Sequence, residues 1–520
     1  MNTKNDTKID LVIKDGSVIF PNYKTEKADI GISEGKICEI GSIDKSLANQ
    51  VVDAKGLIVM PGAIDTQVHF REPGLTHKED IYNGTKGAIL GGITTVFEMP
   101  NTSPATINKE QLDIKLEIAR KQAFCNYSFF IGAAKENIED LSNLERVAGC
   151  CGVKIFMGAS TGDLLVEDDD SLRKIISNID RKFAVHSEDE YRLRDRKKIL
   201  DDPNISVNSH PVWRDDESAI KSTQRLLKIA REVGKTNLHI LHISTADEIK
   251  MIEKNKDICS CEVTPQHLYF SSPDCYDLLG TNAQMNPPIR NENHQKGLWY
   301  GIKNKVVDVI GSDHAPHTIE EKEKKYPLSP SGMTGVQTLL PIMLNFVNEN
   351  KLKIEDVVRL ISVNPCKIYK IKNKGKISLG YDADLTIIDL EKEFEITNLA
   401  ERLKTGKSMS KSSSIIIVAE GNNYGPSYKI AEDLTEVFDE YESKVTILGH
   451  LQRGGSPVVM DRLIASRLGL SAVQALMSEN YGNMVGIIKN ETVLIPMQDV
   501  VDKQKTINEN LYKLNKIISR

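Results

Sequence analysis

The sequence predicts an α/β protein: a closed (β/α)8 barrel of TIM type with a small flanking β domain, followed by a C-terminal α/β fragment. Three observations carry this. Short runs rich in β-branched and aromatic residues recur eight times between residues 63 and 312, with helix-length spacers between them. Strand alternating with helix implies a parallel sheet with right-handed crossovers, and eight repeats imply closure. The runs also end on residues able to bind a metal or orient a substrate, as expected where strand C-termini gather on one face.

Before the barrel, short apolar runs alternate with turn signals at Asp10–Gly16, Ala28–Gly31, Lys36–Gly41 and Val51–Asp53, which reads as a small antiparallel β unit. The eight barrel strands are expected at Ala63–Phe70, Thr94–Pro100, Asn126–Gly132, Val153–Gly158, Phe183–Ser187, Leu238–Ser244, Cys259–Thr264 and Val307–Ser312. Segments Trp213–Val233 and Thr334–Val347 carry apolar residues near helical spacing. A strand-like pattern returns at Gly375–Asp389, so both flanks of the barrel are expected to build one small sheet. From about Leu399 the texture changes: Lys404–Ser414 is a polar linker, then a strand at Ile415–Ala419 opens a separate module. The expected boundaries are 1–58 for the first part of the β domain and 59–365 for the barrel. Residues 366–398 form an incomplete second part of the β domain, and 399–520 the tail.

With 520 residues, 40% hydrophobic and 27% charged, the chain has enough apolar material for two or three folded units. The net charge of −6 and the lack of a basic, aromatic-laced stripe exclude nucleic acid as the expected partner. No apolar stretch approaches the ~20 residues of a membrane helix. The first 16 residues are polar and lysine-rich, without the apolar core of a signal peptide. Eight cysteines without paired zinc spacing or a disulfide framework suggest reduced thiols and a cytoplasmic location. Homo-oligomerisation is left open.

His69, Lys154, His186, His242 and Asp313 end or occupy five different barrel strands, which makes them candidate ligands of a divalent metal such as zinc. Lys154 lies in an otherwise apolar strand, where burial favours a neutral amine able to add carbon dioxide and become a carbamate ligand. The alternative is a lysine snorkelling out at the barrel rim. Asp313 is a candidate both as ligand and as general base. His239, three residues before His242, is expected to pack between strand and helix, on the opposite side of the sheet. His267 and His314 remain candidates for supporting hydrogen bonds.

Residues 1–398 resemble dihydroorotase, of the amidohydrolase superfamily. The resemblance rests on Pro61-Gly62-Ala63-Ile64-Asp65, on Val68 to Gly74, and on Met99-Pro100-Asn101-Thr102. It extends through Gly152-Val153-Lys154, His186-Ser187-Glu188-Asp189, His242-Ile243-Ser244-Thr245 and Glu262-Val263-Thr264-Pro265. Met285-Asn286-Pro287-Pro288, Ser312 to His317 and Ser362-Val363-Asn364-Pro365 complete it. It implies interconversion of N-carbamoyl-L-aspartate and L-dihydroorotate in pyrimidine biosynthesis, with one or two Zn2+ per barrel held by His69, carboxylated Lys154, His186, His242 and Asp313. It also implies that Arg71, Asn101 and His317 hold the substrate carboxylate and that Asn286 contacts the ring. An arginine fork suits a carboxylate, which hydantoins lack. One departure stands out: the usual first histidine of the His-x-His motif is Gln67, a weaker zinc ligand. Against a dihydroorotase stand a non-catalytic scaffold and another cyclic amidohydrolase, of allantoinase or hydantoinase type.

The last ~120 residues resemble the C-terminal part of bacterial 6-phosphofructokinase, through Ile417 to Gly421, Ile447 to Pro457 and Met460 to Gly469. The likeness implies vestigial sugar-phosphate contacts at Glu420, His450 and Arg453. The glycine-rich nucleotide loop and the aspartate base of that family have no counterpart after Leu399. Two partial families meeting at one junction point to a gene fusion, rearrangement or assembly error, with a tail that is not an active kinase.

Overall fold

The structure, a computed structural model, describes residues 9–159, 164–390, 396–397, 399–400, 403–404, 427–438, 459–478, 480–488 and 491–498. The chain divides into two units, Met1–Glu391 and Lys392–Arg520.

The first unit opens with β1 (Ile9–Ile19), β2 (Thr25–Ser33), β3 (Lys36–Gly41), β4 (Ala48–Asp53) and β5 (Ile58–Pro61). The barrel follows as β6 (Ala63–Val68), β7 (Ile93–Glu98), β8 (Asn126–Gly132), β9 (Cys150–Phe156), β10 (Phe183–His186), β11 (Leu238–Ile240), β12 (Cys259–Val263) and β13 (Val309–Ile310). All eight fall on the expected runs. They pair in sequence order from β6 to β13, and every recorded pairing is parallel. A parallel bridge between Val68 and His314, with His69 N–H donating to His314 O at 2.7 Å, joins the first strand to the last.

Strands β9, β10 and β12 are buried along their whole length, as a parallel sheet covered on both faces requires. Alternate residues point outward under the helices, as Val153 and Ile155 do, or inward. Ile64, Phe97, Phe130, Cys151, Ala184 and Leu241 pack inside the barrel beneath Tyr369. Helix Asp216–Val233 shows why these spacers are helical. Asp215 caps its start by accepting from Ser218 N, Leu226, Leu227 and Ile229 lie on its buried face, and Gly234 ends it in the left-handed region. The expected helix Thr334–Val347 begins only at Leu339, because the N–H groups of Gly335 and Val336 donate to the His314 ring instead.

β14 (Leu385–Ile388) pairs antiparallel with β5, so both flanks of the barrel build one six-stranded sheet, as expected. The expectation of a purely antiparallel unit is corrected, since β1 runs parallel to both β4 and β5. β1 is long enough to pair with β4 along its first half and β5 along its second. Gly16 permits the second contact, because a Cβ there would sit 2.7 Å from Val59 Cγ2.

The second unit contains helices Ser427–Val437 and Val459–Met477 and a hairpin of β15 (Asn483–Ile488) and β16 (Glu491–Pro496). Ala400, Leu403, Leu434 and Phe438 form a small buried cluster. The expected strand Ile415–Ala419, most of the Lys404–Ser414 linker, and Glu420, His450 and Arg453 lie outside the described residues. Among the described residues no helix is long and apolar enough to cross a membrane.

Candidate functional site

The C-terminal ends of the barrel strands present two pairs of polar side chains and one isolated amine. His69, just past β6, directs Nδ1 at Asn101 Oδ1 (2.6 Å) and Nε2 at Asp313 Oδ1 (3.2 Å). Asn101 Oδ1 and the Asp313 carboxylate both only accept, so each ring nitrogen faces an acceptor; a role as metal ligand needs the proton on Nδ1 and the lone pair on Nε2. Gln67 Nε2 donates to the same Asp313 oxygen at 2.7 Å, leaving Gln67 Oε1 buried without a hydrogen-bond partner. The amide therefore occupies one oxygen of the Asp313 carboxylate.

The second pair is His186, ending β10, and His242, beyond β11. Nδ1 of His186 lies 3.0 Å from Nε2 of His242. Burial lowers the pKa of both rings, so both are neutral near pH 7 and able to act as ligands. Two nitrogens each about 2.0–2.1 Å from one tetrahedral zinc sit roughly 3.3–3.4 Å apart, so a small adjustment lets both bind one ion.

Lys154, in β9, faces the same region. Its Nζ is fully buried and has no hydrogen-bond partner; the Phe156 ring lies 4.6 Å away. Burial pushes its pKa down to about 7, against the opposing pull of Asp313 and Glu262. Lys154 is therefore no rim lysine; its stem does not snorkel out. Glu262 does not neutralise it at pH 7, because burial, with Asp313 adding, pushes that carboxyl up to about 8. Among the described residues no three His, Cys, Asp or Glu side chains converge on one point. The donor set fits a metal only when the orphaned Lys154 amine is counted with His186 and His242. At His69 and Asp313 the Gln67 amide leaves a poorer fit.

Arg71 is 2% exposed and has no carboxylate partner among the described residues. Its Nε donates to Pro316 O at 3.1 Å and Nη2 lies 3.3 Å from His317 Nε2. Burial, with Arg71 and Lys78 beside it, holds the His317 ring neutral with a pKa of about 3. Lys78 Nζ donates to its Nδ1 at 3.1 Å, and Nε2–H donates to Ser331 O at 3.1 Å. Asn286 sits apart from this group: its Oδ1 accepts from His210 Nε2 at 3.1 Å, and among the described residues no hydrogen bond joins it to Arg71 or His317. Arg71 (φ 63°), His242 (φ 34°) and Asp313 (φ 47°) all have left-handed backbones, uncommon for residues with a Cβ and frequent at functional sites.

That backbone overturns one expectation. His239 does not pack between strand and helix; it lies inside the barrel, with Nδ1 2.9 Å from Ser260 Oγ and its ring 5.8 Å from Tyr369. The two-residue alternation ends with β11 at Ile240, and the left-handed turn at His242 aims that ring inward as well. His267 donates through Nε2 to Pro287 O (3.1 Å). His314 donates through Nε2 to Glu79 (2.7 Å), since its Nδ1 accepts backbone N–H groups. Sequence reasoning missed Lys78, Glu79, Glu188 and Arg214 as members of the site. Glu188 stands two residues after His186, which was the available signal, whereas nothing local marks Arg214.

Residues 58–418 match the amidohydrolase family and residues 376–476 match phosphofructokinase. The chain is 36% identical over 395 residues to a dihydroorotase of Methanosarcina mazei, covering 73% of this chain and 85% of that protein. It is 36% identical over 378 residues to a dihydroorotase of Pyrococcus abyssi, covering 72% and 84%. Among solved structures it is similar to the L-hydantoinase (dihydropyrimidinase) of Arthrobacter aurescens, with 28% identity and a TM-score of 0.69 over 72% of this chain and 86% of that one. The dihydropyrimidinase of Brevibacillus agri gives 26% identity and a TM-score of 0.66 over 73% and 86%.

Proposed function

Because the chain belongs to the amidohydrolase family, we propose that it is a metal-dependent dihydroorotase, interconverting L-dihydroorotate and N-carbamoyl-L-aspartate in pyrimidine biosynthesis. The observation that carries this is Arg71, a buried guanidinium without a carboxylate partner among the described residues, two residues from His69. Its fork suits the ring carboxylate of dihydroorotate, a group that hydantoins and dihydrouracil lack.

Lys154 as a carbamate, His186 and His242 would hold a divalent metal, with His69 and Asp313 offering a weaker second position. Such an ion supplies Lewis-acid polarisation of the amide carbonyl and lowers the pKa of water. Arg71 orients the substrate by its carboxylate. Gln67 fixes Asp313 Oδ1, leaving Oδ2 to take a proton as water adds to the amide carbon. Asp313 then passes that proton to the ring nitrogen as the C–N bond breaks. The test is turnover of dihydroorotate followed by absorbance, alongside dihydrouracil and hydantoin. We expect dihydroorotate to be strongly preferred; equal turnover of dihydrouracil would assign the hydantoinase type instead.

Gln67 leads to a prediction about stoichiometry. The purified chain should hold fewer than two tightly bound metals, and Gln67→His should raise that number. Two zinc equivalents surviving dialysis against a chelator would contradict it. The alternative of a catalytically silent scaffold draws on the same bond to Asp313, and absence of turnover at every metal loading would favour it.

The tail should show no ATP-dependent phosphorylation of fructose 6-phosphate. Phosphoryl transfer depends on positioning nucleotide phosphates and metal, and the sequence from Leu399 onward has no glycine-rich loop to do so. A coupled assay on the full chain decides it; measurable kinase turnover would overturn the assignment.

A further inference from the structure

Beyond the side chains that would touch a metal, the interior contains an ion pair that the proposed reaction does not use directly. Glu188 is fully buried. Its Oε2 accepts from His186 Nε2 at 3.0 Å and from Arg214 Nη2 at 2.5 Å, while Arg214 Nε lies 3.2 Å from both carboxylate oxygens. Arg214 is tied in turn: Nη2 donates to Ala159 O at 2.9 Å, and its own carbonyl accepts from Arg290. Both carboxylate oxygens thus face the Arg214 guanidinium, and Oε2 also faces the His186 ring. A buried pair of this kind is a costly way to gain stability, since apolar residues of similar volume often serve as well or better. Its retention beside His186 calls for another role.

We propose that Glu188 and Arg214 are positioning residues that set the tautomer of His186. An ionised carboxylate accepts hydrogen bonds only, so Glu188 keeps the proton on Nε2. The lone pair is thereby left on Nδ1, the atom that faces His242 Nε2 at 3.0 Å. Arg214 pairs with the carboxylate and fixes its direction. Without the pair, the proton is free to move to Nδ1, and the ring then presents an N–H where a ligand atom is needed. Carboxylates that accept from a metal-binding histidine orient the ring and raise its basicity. This inference rests on the reading that His186 and His242 hold a divalent metal.

The test is zinc affinity of the metal-free full chain, measured by competition with a chromophoric chelator, for the parent, Glu188→Asp, the double variant Glu188→Gln/Arg214→Met, and His242→Ala. Glu188→Asp keeps the ion pair but withdraws the carboxylate by one methylene. The double variant removes both charges of the pair together. Both should bind zinc about 10–100-fold more weakly, with the melting temperature of the metal-free chain near the parent's. The cobalt(II) absorption spectrum should change in both. Parent-like zinc affinity in either folded variant would overturn the positioning role. A parent that binds zinc no better than His242→Ala would overturn the underlying metal site as well, which separates the two failures.

Discussion

Lys154→Ala should abolish metal binding and nearly all turnover. Its Nζ is buried, faces the candidate ligands and has no hydrogen-bond partner among the described residues. A neutral amine in that setting can become an anionic carbamate; an alanine cannot. The loss should exceed the roughly 10–100-fold cost of removing a residue that only supports a ligand, and small carboxylic acids should restore part of the activity. Metal analysis and turnover of the same preparation check it, and full activity in the alanine variant would sink the carbamate role.

The metal-free chain should respond in the opposite sense. In the folded state the Lys154 pKa lies near 7 rather than 10.5, so the unfolded chain binds more protons between those values. Stability therefore rises with pH across that window, and the lysine's penalty is full below about pH 7. Lys154→Met should raise the melting temperature of the metal-free protein at pH 7, and the gain should shrink toward pH 10. A variant melting below the parent at pH 7 would contradict this.

The second large effect is expected at Arg71. Arg71→Met keeps most of the side-chain volume but removes the fork that would hold a carboxylate. Losing a buried charged hydrogen bond costs about 2–5 kcal/mol, equivalent to roughly 30-fold to several thousand-fold in kcat/KM. The loss should fall mainly on KM, with metal content unchanged, because Arg71 contacts Pro316 and His317 rather than any candidate ligand. Hydrolysis of dihydrouracil, which offers no carboxylate, should change little. A variant that binds dihydroorotate as tightly as the parent would remove the main support for that substrate.

Much of this was legible along the chain. Runs such as Phe183–Ser187 and Cys259–Thr264 announce buried parallel strands because both faces are covered and, apart from His186 and Glu262, the residues are apolar or small. Their order alone places His69, Lys154, His186, His242 and Asp313 on one face of a barrel. The unusual lysine and the substitution by Gln67 were also visible, since each breaks a local pattern.

Strand direction in the first sheet was not legible, because β1 pairs with segments whose approach is set by the chain path between them. Nor was the inward placement of His239, which follows from where β11 stops and from the left-handed backbone at His242. The Glu188–Arg214 pair joins residues 26 positions apart, and Gln67 meets Asp313 across 246. Sequence by itself determined the eight-stranded barrel and the strand on or after which each candidate side chain stands, because hydrophobic period and residue type act locally. Only the tertiary structure decided how those side chains pair, because hydrogen bonds between distant segments depend on positions that no local pattern encodes.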